Sequence, residues 1–150
     1  MQRRTVIIAA VCASSGWALG APAAPSLAEQ AQRGGVLLIR HASTEPGLGD
    51  PAGFTIGQCQ TQRNLSDAGR AEARAIGDWF RRHGLQPRAV RTSQWCRCQD
   101  TARIAFGHHE DWPALNSTFA GQGQPDRQLD ELRARLGQWP AGQLEVWVTH

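Results

Sequence analysis

The stretch that most constrains the fold is Gly35-Val36-Leu37-Leu38-Ile39-Arg40-His41. Four consecutive large aliphatic residues, entered through glycine and left through turn formers, read as a strand buried on both faces of a sheet. The run stops at a cation beside an imidazole. Ala42-Ser43-Thr44-Glu45-Pro46-Gly47 then supplies small, polar and turn-forming residues. In open α/β sheets, ligands gather outside the carboxyl ends of the strands, so Arg40 and His41 stand where chemistry is expected. Both suit an anionic ligand. The plain alternative is a strand that merely ends in polar residues at the surface.

The rest of the chain alternates between the two hydrophobic periods. Residues 42–65 carry Pro46, Gly47, Gly49, Pro51, Gly53 and Gly57, which block regular structure, so this is a long connection that is either functional or tied down. Ser66 opens a helix by capping its first turn, with Asp67 favourable at that end. Ala68, Ala71, Ala75, Ile76, Trp79 and Phe80 form its apolar stripe, and Gly84 stops it after His83, a helix-end histidine. Residues 88–93 form a short strand, followed by a helix to about Phe106 that Gly107 ends. Residues 112–116 are extended, and 120–124 are flexible. Pro125-Asp126 starts a last helix with the stripe Leu129, Leu132, Leu136 and Trp139, broken by Pro140-Ala141-Gly142. Leu144 to Thr149 is a final β-rich strand ending at His150. No internal repeat is visible. Strands alternating with helices predict an α/β domain with a mainly parallel sheet.

The N-terminus has the layout of a secretory signal peptide over residues 1–23: basic Arg3-Arg4, an apolar run from Thr5 to Leu19, and small residues around Ala21 to Ala24. An uncleaved anchor is the competing reading, but the run is short and rich in small residues. Cys12 falls within this leader. Residues 24–33 then read as a flexible tether, leaving 34–150 as the domain. All 16 basic residues are Arg, and leaving out the two in the leader takes the formal charge from +3 to +1. With no basic stripe and no interleaved aromatics, nucleic acid is not an expected partner. Export makes the remaining cysteines candidates for oxidation. Cys96 and Cys98 are two apart at a helix start and point away from each other, so the expected disulfide joins Cys59 to one of them. Three cysteines make a poor zinc site. His108-His109-Glu110-Asp111 reads as a solvated turn rather than a metal cluster.

Leu38-Ile39-Arg40-His41-Ala42 resembles the Arg-His-Gly signature of the histidine phosphatase superfamily, the phosphoglycerate-mutase-like phosphatases. Leu65-Ser66-Asp67-Ala68-Gly69-Arg70-Ala71-Glu72-Ala73 is similar to the family's Leu-Thr-x-x-Gly-x-x-Gln-Ala block. Ser93-Gln94-Trp95-Cys96-Arg97-Cys98-Gln99-Asp100-Thr101-Ala102 matches its Ser-x-x-x-Arg-Ala-x-x-Thr-Ala segment. Val146-Trp147-Val148-Thr149-His150 resembles the strand that delivers a second histidine. Four blocks in the right order, from Val36 to the end, carry the resemblance. It implies a three-layer sandwich with helices on both faces of the sheet. It also implies His41 as a nucleophile that becomes phosphorylated, Arg40 and Arg97 as phosphate ligands, and His150 as a donor to a non-bridging oxygen. Ser43 and Thr44 would offer further hydrogen bonds, although turn capping explains them equally well. No metal or other cofactor is required.

The sequence departs from the family in two places. Where many members carry a Glu that protonates the leaving group, this chain has Leu115-Asn116-Ser117, and Asn is no acid. Glu45, Asp50 and Asp126 are the candidate substitutes. The chain also stops at His150, which reads as a C-terminal truncation and would place a carboxylate near the phosphate pocket. The expectation is therefore an exported, periplasmic or secreted phosphatase acting on a small phosphomonoester such as a lipopolysaccharide-sugar phosphate or a metabolite. Mutase activity is disfavoured, and stable membrane insertion after leader cleavage is not expected. The alternative is a non-catalytic phosphate-binding or envelope interaction module. No feature of the sequence sets an oligomeric state.

Overall fold

The computed structural model describes residues 24–138 and 142–150. The leader with Cys12, and Trp139-Pro140-Ala141 after the last helix, lie outside the described residues. Strands β1 (Gly35–Arg40), β2 (Ala89–Thr92), β3 (Glu110–Asp111) and β4 (Leu144–Thr149) form one parallel sheet in the order β1-β4-β2-β3. Helices α1 (Leu27–Gln32), α2 (Asp67–Arg82), α3 (Cys96–Phe106) and α4 (Pro125–Gly137) pack around it.

Strand alternation explains the layers. Leu37, Ile39, Val90, Val146 and Val148 share one face and meet Ile76, Trp79 and Phe80 of α2 and Cys98, Ala102 and Phe106 of α3. Helix α2 comes close because its buried stripe is Gly69, Ala73, Gly77 and Phe80. A Cβ on Gly77 would stand 2.3 Å from the Ala105 carbonyl oxygen, so no larger residue fits this crossing. On the opposite face, Glu145 and Trp147 are buried, and Arg135 of α4 bonds the Glu145 carboxylate. The result is a three-layer α/β sandwich, as expected.

Several expectations are corrected. Among the described residues β1 pairs only with β4, and Leu38 on its outer face is 67% exposed. An unbroken aliphatic run signals burial but does not count neighbours. Residues 24–33 are not a plain tether. Ser26 and Glu29 form a reciprocal capping box for α1, and Ala31 packs into the core. The stripe of α4 does not face a core: Leu129 is 44% and Leu136 51% exposed. Polar contacts hold that helix instead, through Arg135 and through the Gln128 amide, which donates to the Asn116 carbonyl at 2.8 Å. Glu110-Asp111 is a short strand beside β2 rather than a solvated turn. Residues 113–115 and 119–121 form 3-10 turns rather than extended and flexible segments, and Ala120 takes the left-handed conformation at φ 55°. Helix α2 begins and ends as the sequence predicts, with the Ser66 hydroxyl accepting from the Gly69 amide at 3.1 Å.

Candidate active site

The parallel sheet brings the ends of β1 and β4 together, as their pairing of Arg40 with Thr149 requires. The His41 amide continues the ladder by donating to the Thr149 carbonyl at 2.9 Å. The next amide, of Ala42, donates to the Thr101 hydroxyl, which in turn bonds the Arg97 carbonyl at 2.7 Å. Thr101 thus ties the end of β1 to the first turn of α3, where Arg97 sits. Glycine 69 lets the following loop rest on α2, since a Cβ there would meet the Ser43 carbonyl oxygen at 1.8 Å. The Ser43 amide and hydroxyl both bond the Glu72 carboxylate at 2.8 Å. Ser43 is therefore a structural contact.

Arg40, His41, Asp50, Arg63, Arg97 and His150 all line one cleft of about 490 Å³, together with Leu48, Phe119 and Gln122. The imidazoles of His41 and His150 lie 5.5 Å apart in an edge arrangement. Four of the five predicted site residues thus converge. The fifth, Thr44, forms a backbone bridge to Leu65 and is not among the cleft residues.

The hydrogen bonds fix how each imidazole can act. His41 Nδ1 is 2.9 Å from the Ala42 carbonyl oxygen, which can only accept, so Nδ1 carries the proton and Nε2 keeps its lone pair. Burial holds the His41 pKa below the ordinary imidazole value. Arg97, Arg40 and Arg63 push in the same direction, against the Ala42 hydrogen bond. His41 is a neutral base at physiological pH.

His150 is arranged differently from expectation. Its Nδ1 accepts from Arg97 Nη2 at 3.3 Å, and its Nε2 lies 2.8 Å from the Ser93 hydroxyl. Arginine has only donors, so the His150 proton belongs on Nε2, and Ser93 passes its own to Asn116 Oδ1 at 3.3 Å. Both ring nitrogens are therefore engaged by protein, and the N–H points to Ser93 rather than to a non-bridging phosphate oxygen. Burial pushes the His150 pKa down to about 3, with Arg97 adding to the effect. Cys98, whose sulfur is 3.6 Å from the same Nε2, is a buried thiol pushed up to about 12 by burial and is not a nucleophile. The disulfide joins Cys59 to Cys96, one of the two pairings the sequence left open.

One charged residue of the cleft, Arg63, has no role assigned by the sequence. Arg63 donates from Nη1 to the Gly47 carbonyl at 2.7 Å, while its buried Nε has no partner. Arg97 Nε is buried and unpartnered in the same way. Asp50, a candidate proton donor, instead accepts from Arg97 Nη1 at 2.7 Å. Burial raises its pKa, but hydrogen bonds from Arg97, Arg63 and Trp95 outweigh this and hold it below the usual carboxylate range. Glu45 and Asp126 are not cleft residues. Asn116 is occupied by Ser93, by the Gln94 amide at 2.9 Å, and by the Gln94 side chain.

A family model described as the histidine phosphatase superfamily (branch 1) matches residues 36–148. No curated protein sequence matches the chain. Among solved structures, the protein histidine phosphatase SixA complexed with tungstate is 18% identical, with a TM-score of 0.55 over 77% of this chain and 68% of that one. An Agrobacterium tumefaciens structure assigned to the phosphohistidine phosphatase SixA is 24% identical, with a TM-score of 0.50 over 77% and 68%. The alpha-ribazole phosphatase of Shigella flexneri is 16% identical, with a TM-score of 0.53 over 77% and 73%. These structures share the fold.

Proposed function

The chain belongs to the histidine phosphatase superfamily, and from that premise we propose that it is a phosphatase that hydrolyses a small phosphomonoester through a phosphohistidine on His41. One observation carries the reading. His41, with its Nδ1 held by the Ala42 carbonyl and its Nε2 lone pair free, lines one cleft with Arg40, Arg63 and Arg97.

The Nε2 lone pair attacks phosphorus, the bond from phosphorus to the leaving oxygen breaks, and the phosphoryl group moves to His41. Water then attacks phosphorus as the phosphorus–Nε2 bond breaks, which returns the lone pair to His41, passes one water proton to solvent and releases orthophosphate. The arginines face the equatorial oxygens, where fork-shaped donors stabilise the spread charge. His150 acts by holding the Nη2 edge of Arg97. The tungstate held by the SixA structure is an oxyanion of the same geometry as the phosphate proposed here. Metal and cofactor play no part in this scheme. Among the described residues Asp50 is the one side-chain carboxylate lining the cleft, and it is ion-paired with Arg97 rather than free to protonate a leaving group. This favours substrates whose leaving group is stable as an anion.

Export to the periplasm or medium is part of the same reading. The Cys59–Cys96 disulfide supports it, and no helix of the described residues is long and apolar enough to cross a membrane. The compartment makes a sugar phosphate of the envelope or a phosphorylated metabolite the fitting substrate. The ion pairing that holds Asp50 ionised favours a second reading, a module that binds phosphate without turnover.

Hydrolysis of an aryl phosphate separates the two, because its leaving group needs little protonation. Turnover by the wild type, lost in His41→Ala and kept in His83→Ala, supports the phosphatase. His83 is a fair control, since it caps α2 with its ring on the Trp79 carbonyl and is not a cleft residue. Orthovanadate binding with no turnover supports the module.

A further inference from the structure

We propose that Asp50 is the positioning residue that aims Arg97 at the phosphoryl group, an inference that rests on the phosphatase reading above. Asp50 belongs to the loop between β1 and α2, in the Gly47-Leu48-Gly49-Asp50-Pro51 run that composition marks as irregular. Its side chain is nevertheless only 4% exposed. Three donors converge on it. Oδ1 accepts from Arg97 Nη1 at 2.7 Å and from the Arg63 amide at 3.0 Å, and Oδ2 accepts from Trp95 Nε1 at 2.9 Å. One carboxylate therefore gathers the side chain of one cleft arginine, the backbone of another, and the indole that precedes α3.

The consequence for Arg97 is geometric. Each of its two terminal nitrogens has its own partner, Nη1 on Asp50 at 2.7 Å and Nη2 on His150 at 3.3 Å, which fixes the orientation of the planar guanidinium. A carboxylate beside an anion site weakens ground-state binding by repulsion. Its placement here makes sense if fixed orientation matters more for the transferring phosphoryl group than extra charge does for the bound one. The loop is itself fastened to the same helix end. Cys59 is bonded to Cys96, and the Cys96 amide donates to Gln62 Oε1 at 2.9 Å. Asp50 therefore reaches Arg97 from an anchored segment.

The test is Asp50→Asn, assayed with an aryl phosphate and titrated calorimetrically with orthovanadate. The expected result is a kcat about tenfold to a hundredfold lower. KM and the orthovanadate Kd should be unchanged or lower, at full binding stoichiometry. Unchanged stoichiometry separates this from partial unfolding, which lowers apparent kcat and stoichiometry together. A kcat within twofold of wild type, or a loss that merely follows a loss of binding sites, overturns the proposal. If the variant does not fold, a crystal of the wild type with orthovanadate decides. Arg97 should keep Nη1 on Asp50 while donating to vanadate, and an Arg97 that leaves Asp50 for vanadate overturns the assignment. Wild-type protein that binds orthovanadate without turnover refutes the phosphatase reading and leaves the crystal to judge the clamp. Absence of both refutes the two together.

Discussion

The reactivity of His41 comes from one hydrogen bond and one consequence of burial. The Ala42 carbonyl fixes the tautomer, and burial with three nearby arginines keeps the ring neutral. Protonation would consume the Nε2 lone pair, so activity should fall as pH drops through the His41 pKa, and that midpoint should lie below about 6.5. Long-range proton–nitrogen correlation of the imidazole should show a protonated Nδ1 and a bare Nε2 at pH 7. A midpoint above 6.5, or the reverse tautomer, would contradict the arrangement. Arg40, His41, Arg97 and His150 were legible because strands and helix starts deliver them at fixed places. The roles of Asp50 and Arg63 were not, because an irregular loop places its side chains through tertiary contacts alone. For His150 the position was readable but the direction of its N–H was not. That direction depends on Ser93, Arg97 and Asn116, which meet only in the fold.

At the level of elements, the long connection after β1 is organised by the link from Cys59 to Cys96, 37 residues apart in sequence. Closing a loop of that size in the unfolded chain contributes roughly 3–4 kcal/mol to stability. The double variant Cys59→Ser/Cys96→Ser should lose about that much in urea unfolding, and non-reducing peptide mapping of the wild type should join Cys59 to Cys96 and leave Cys98 free. A loss below about 1 kcal/mol would mean that Asp50 and Gln62 already order the loop. Helix α2 could be read from its cap and stripe because its burial is apolar and periodic. Helix α4 has the same periodicity in Leu129, Leu132 and Leu136, yet it is attached through Gln128 and Arg135. Hydrophobic spacing predicts that a helix forms, but not which side chains fasten it.

Across the whole molecule, two half-buried histidines and two ion-paired carboxylates share one sign of response to acid. His41 and His150 are held neutral below the ordinary imidazole value, the latter down to about 3. Asp50 and Glu145 are held ionised below their usual range. In Glu145, burial opposes this, but the Trp147 indole and Arg135 outweigh it. In each case the unfolded chain takes up a proton at a higher pH than the folded one, so acid favours unfolding. The histidines begin to act as pH falls through about 6.5, and the carboxylates join near about 4. Melting temperature should therefore be highest near neutrality, fall by several degrees between about pH 6.5 and 4.5, and drop more steeply below that. The first phase belongs to the imidazoles, so His150→Gln should flatten it while leaving the carboxylate phase in place. Thermal unfolding followed by circular dichroism across that range is the measurement. A melting temperature that stays level from pH 7 to pH 4.5 in the wild type would show that the two imidazoles are not held neutral, and the nucleophile assigned to His41 would lose its physical basis.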